Sequence, residues 1–126
     1  MRRTLFGLAV VLALAAPAVY AHHSFSADYH EDQRVSIEGA VEEFLYHNPH
    51  ALLKVRVVQD GQPVSYTAEW AGAGRLERQG ITPQTLRAGD VVRISGSPGR
   101  NERGRRIHLK SIQRPADGWE WSGRRR

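Results

Sequence analysis

The chain has no cysteine. No disulfide can staple it, and no thiolate can act as nucleophile or as a ligand for zinc or copper(I). Its stability must come from core packing alone. Aromatic residues are sparse, at 8% of 126 residues, and Met1 is the single methionine. No apolar run reaches the about 20 residues that a membrane span needs. The longest, Leu5 to Ala16, stops at Pro17. The glycines form no phosphate-binding loop, no serine sits in a nucleophile elbow, and no helical motif of the zinc proteases occurs. Those absences remove the recognisable routes to phosphoryl transfer, serine hydrolysis and zinc proteolysis. His50 and Glu69 have the chemistry of an acid–base pair, but no nucleophile accompanies them, so an enzyme is not expected.

What is present begins with Met1-Arg2-Arg3, the apolar run and Val19-Tyr20-Ala21. A basic start, a short apolar centre and a small residue at the exit describe a secretory signal peptide over residues 1–21. Cleavage after Ala21 is the reading adopted; cleavage after Ala18 also fits. Removing 21 residues, with two arginines and no acid, leaves 105 residues at a formal charge of +3. That length suits one domain with one core. The expected location is the periplasm or the outside, with no membrane span in the mature form. The excess charge lies in Arg100 to Arg106 and in Arg124 to Arg126.

Residues 26–34 are polar and lack a period, and residues 22–34 read as an extended lead-in. Val35 to Glu42 alternates apolar and polar, the mark of a half-buried strand, and Gly39 within it predicts a bend or bulge. Pro49 interrupts pairing before a second strand, His50 to Val58. Asp60-Gly61 is a two-residue hairpin turn, and a third strand runs from Val64 to Trp70. Setting Gln59 opposite Gln62 brings Leu53, Val55 and Val57 onto the same face as Ala68, Tyr66 and Val64, a self-consistent register. It also puts Glu69 opposite Leu52 and diagonal to His50, within reach of two converging side chains.

Arg75 to Gln79 suits one helical turn ended by Gly80. Thr82-Pro83 is a second helix start, with Gly89 as its stop. Val91 to Ser95 and Arg106 to Gln113 read as the fourth and fifth strands, with His108 outward beside Lys110. Trp119 and Trp121 are expected to pack back on the domain from a flexible tail, residues 115–126. Five short strands over residues 35–114, with a helical insertion between the third and fourth, predict an all-β fold. The expected form is a small OB-like Greek-key barrel, with an open sheet or a sandwich as the alternative.

His22-His23-Ser24-Phe25, Asn48-Pro49-His50, Glu69, Gly80-Ile81-Thr82 and Leu86 to Val92 together resemble a family of small exported bacterial proteins classed as a domain of unknown function. The resemblance covers residues 22 to about 112. It departs at Ala71 to Gly74, where such proteins usually carry a Ser-Pro-Asn helix cap. It implies export and a small β-barrel and supplies no activity.

The chemistry therefore rests on the histidines. After cleavage at Ala21, His22 offers an α-amine and an imidazole from one residue. His23, His47 or His50 can add a further nitrogen, and Glu69 can ligate or orient His50. A nitrogen-rich tetragonal set suits copper(II) best, and the α-amine and imidazole lose protons readily near neutrality. The arrangement resembles, in that one feature, the histidine brace of some exported copper proteins. The candidate metal site is thus His22, His23, His47, His50 and Glu69. The alternative is a non-catalytic OB-like module that binds an envelope polymer or a protein partner through the barrel face and Arg100 to Arg106. Nucleic acid is disfavoured, because the signal directs the chain out of the cytosol and no outward aromatic row is evident.

Overall fold

The computed structural model describes residues 25–123. The signal segment, His22, His23 and Arg124 to Arg126 lie outside the described residues. One helical turn, α1 (Phe25–Asp28), precedes five strands: β1 (Val35–Leu45), β2 (Leu52–Gln59), β3 (Gln62–Glu69), β4 (Val91–Pro98) and β5 (Arg106–Arg114). A short helix, α2 (Ala73–Arg78), lies between β3 and β4, and a last strand, β6 (Trp119–Ser122), follows β5.

The sheet runs β3-β2-β1-β4-β5-β6, and β3 also pairs with β5. That extra pairing closes a five-stranded barrel of OB connectivity and leaves β6 outside it. The β3–β5 joint is parallel and short: Thr67, Ala68 and Glu69 face Arg106, Ile107 and His108. Every other pairing between named strands is antiparallel.

Closing so few strands demands sharp bends. β1 supplies one by pairing with β4 through Val35 to Ala40 and with β2 from Ala40 on, with a bulge between Val41 and Glu43. A Cβ on Gly39 would overlap the Arg56 carbonyl, so glycine is required at this crossing. Gly96, opposite a second bulge at Lys110 of β5, likewise sits where a Cβ would overlap the His108 carbonyl.

The β2–β3 hairpin has the expected register, from Gln59 opposite Gln62 to Leu52 opposite Glu69. Asp60 and Gly61 both have positive φ, at 51° and 74°, which fits the right-handed strand twist. Leu53, Val55, Ala68 and Trp70 fill the barrel with Val92, Ile94, Ile107, Leu109 and Ile112. Each large side chain so buried contributes about 1.5–3 kcal/mol.

Four local expectations are corrected. Within the lead-in, Phe25–Asp28 is a helical turn docked on the barrel, not extended chain. Tyr29 bridges to Gly99 and is buried, and the Asp28 and Pro98 carbonyls accept from the Arg100 and His30 amides. Thr82 to Gly89 makes turns and no helix, because Thr85 Oγ1 takes the Thr82 amide in a local loop. The segment after residue 114 is not all tail: Trp119 to Ser122 add β6 to the edge of β5. His108 does not face solvent, because the lead-in covers it. α2 forms without a side-chain cap, behind an extended Gly72. No helix among the described residues is long and apolar enough to cross a membrane.

Candidate functional site

Two histidine–glutamate pairs stand on the outside of the barrel. His50 precedes β2, and Glu69 ends β3. The hairpin register makes them diagonal neighbours, and Glu69 Oε1 lies 2.7 Å from His50 Nδ1. The other carboxylate oxygen accepts from the Tyr29 hydroxyl and, at 3.0 Å, from Arg106 Nη2. Arg106 Nε also donates to the Tyr29 oxygen, at 3.2 Å.

Burial alone would raise the Glu69 carboxyl. The Tyr29 hydrogen bond and the charges of Arg106 and His50 outweigh it and hold the group below the usual carboxylate range. Burial and the bond to Glu69 push the Tyr29 phenol far above its ordinary value, so it remains a donor.

The second pair joins β5 to the lead-in. His108 Nδ1 lies 2.7 Å from Glu31 Oε1, and Lys110 Nζ lies 2.6 Å from Glu31 Oε2. Burial would also raise Glu31, but the bonds from Lys110 and His108 keep it low. His108 moves the other way: burial depresses it, and the Glu31 bond only partly compensates.

Phe25 ties the pairs together. Its ring stacks on His108 with centroids 3.6 Å apart and planes 5° from parallel, and it lies 4.9 Å from the His50 ring. All three residues line one cleft of about 670 Å³. In each histidine Nδ1 is engaged by a carboxylate, which leaves Nε2 as the nitrogen without a hydrogen bond among the described residues. A carboxylate that fixes the tautomer and orientation of an imidazole is the usual support of a metal-ligating histidine.

Of the candidates read from the sequence, the fold brings His50 and Glu69 together. His47 is exposed and makes no side-chain hydrogen bond or ring contact among the described residues. His22 and His23 fall outside them. Among the described residues, no group of three or more histidine or carboxylate side chains is placed to hold a metal ion. Sequence reasoning missed Phe25, Tyr29, Glu31, Arg106 and His108. One signal was available: in an OB barrel the third strand closes on the fifth, so two outward residues, Glu69 and His108, become neighbours.

The closed barrel, the strand outside it and the inserted helix define a small all-β domain of OB connectivity. The chain belongs to the family described as "Family of unknown function (DUF6152)", whose model matches residues 9–108. No curated protein matches it. Among solved structures it is similar to apo TiaS, a tRNAIle2 agmatidine synthetase, at 21% identity and a TM-score of 0.45. The match covers 65% of this chain but spans only 18% of that protein. Similarity of that size carries nothing about activity.

Proposed function

We propose that this is an exported protein that binds a transition metal, with copper(II) the expected ion. The observation that carries the reading is the pair of carboxylate-held imidazoles, His50 and His108, both against Phe25. Phe25 stands three residues after His22, and three residues span at most roughly 10–11 Å. Cleavage after Ala21 would therefore free an α-amine and imidazole within chain reach of both rings. The nitrogen-rich set so formed suits copper(II). The described residues supply two ligands, and His22 with His23 supplies the rest. Glu69 and Glu31 act as orienting carboxylates.

The competing reading, a module for an envelope polymer or a protein partner, relies on Arg100 to Arg106. Arg100 already binds the Ser26 carbonyl and His30, and Arg106 binds Glu69 and Tyr29. Two of that loop's cations are thus used internally.

The test is copper(II) titration of the natively exported protein, followed by calorimetry and electron paramagnetic resonance. Several nitrogen couplings are expected, with affinity reduced at least tenfold by His50→Ala and again by one extra residue before His22. Equal affinity in both variants overturns the proposal.

A further inference from the structure

The cleft beside Phe25 has features that a metal does not explain. Among the described residues no aspartate or glutamate lines it, whereas Arg75, Arg78 and Lys110 all do. Lys110 is paired with Glu31. Arg75 and Arg78 are exposed and form no ion pair among the described residues. They lie three apart on α2, the spacing that puts two side chains on one helix face. Between them on another face, Leu76 is fully buried and fixes the helix to the core.

The apolar part of the lining is half aromatic, with Phe25, Trp70 and Trp121 beside Pro49, Ala71 and Leu109. Trp121, from the strand outside the barrel, meets Trp70 edge-on with centroids 5.0 Å apart, and Phe25 lies along the same lining. Trp121 hydrogen-bonds the Gln79 side chain through its indole nitrogen. Trp70 does not: its Nε1 is buried without an acceptor, the one such side-chain atom among the described residues. A buried donor left unpaired costs about 1–3 kcal/mol. Trp70 is also one of the residues that line the cleft, and no carboxylate lines it among the described residues.

We propose that this cleft binds a small organic carboxylate with a flat apolar body. The carboxylate is held by Arg75 and Arg78, whose planar forks match its geometry. The body packs on Trp121 and Phe25, and an acceptor atom reaches the Trp70 indole as Trp121 gives way. The volume falls within the range of small-molecule sites, and an aromatic lining with a few placed polar groups is their usual composition. The inference uses neither the histidines' free nitrogens nor His22, so it stands apart from the metal reading.

The probe is 2-naphthoate, titrated in EDTA into the isotopically labelled mature protein. The three tryptophan indole N–H resonances are read by NMR and assigned with single Trp→Phe variants. Saturable binding is expected, with the Trp70 indole resonance moving as it gains an acceptor. The neutral isostere 2-naphthamide should bind at least tenfold more weakly. The double variant Arg75→Ala/Arg78→Ala, which removes only exposed side chains, should lose at least tenfold in affinity while its spectrum shows an intact fold. Equal binding of the amide, equal binding by the double variant, or an unmoved Trp70 resonance at saturation overturns the proposal. Because metal is absent throughout, neither result bears on copper binding.

Discussion

The two histidine–glutamate pairs share one distance, 2.7 Å, and differ in almost everything else. His50–Glu69 is built into a hairpin, between residues 19 positions apart that a two-residue turn brings into register. His108–Glu31 joins the last barrel strand to a segment that lies before the barrel. The His50 side chain is 36% exposed and that of His108 only 14%. Glu69 has three different partners besides its own strand, while Glu31 shares its charge between His108 and Lys110. One imidazole is therefore positioned by local geometry and left open. The other is positioned by docking and covered by the residue that docks.

Changes directed at one pair separate these two modes of construction. Gly96→Ala should have the largest effect, since its Cβ would overlap the carbonyl of His108 and force β4 from β5. A loss of about 3 kcal/mol is expected on the scale of overpacked cores, measured by urea unfolding. His108 should lose its stacking on Phe25, seen in its ring proton shifts. Glu69→Gln should come second. It removes the charge that pairs with Arg106 and His50 and receives the Tyr29 proton donor. About 2 kcal/mol is expected for hydrogen bonds to a charged, partly buried group, with the His108 pair intact by NMR.

Glu31→Gln should cost least, about 1 kcal/mol, because its side chain is more exposed. Its signature is in pH. Folded His108 titrates below its ordinary value, through burial. Its contribution to stability is therefore whole above the unfolded value, about 6.5, and drains away as pH falls through the folded one. Glu31 raises the folded value. Removing it should drive His108 lower still and steepen the acid loss in metal-free protein. A rise in the His108 titration point would refute the assigned roles.

The same contrast explains what could be seen in the sequence. Asp60-Gly61 fixes a turn, the turn fixes the register, and the register places Glu69 beside His50 without further information. The outward direction of His108 is also legible, from its parity with Lys110. What parity cannot say is whether that outward face is covered. Phe25 to Glu31 carries no hydrophobic period, so nothing marked it as a segment that docks. Its anchors are single residues, the buried Tyr29 and the stacked Phe25, and single residues leave no pattern. β6 escaped for a similar reason: Trp119-Glu120-Trp121 alternates, but over too few residues to stand out from a tail.

The short parallel seam has a mechanical consequence. Three residue pairs join β3 to β5, and Glu69 opposite His108 is the last of them. The stave joint with the least stitching is thus also where the imidazoles stand. A guest that gripped both sides would act as a hoop around the cask, and the molecule's resistance to being pried open would depend on its cargo.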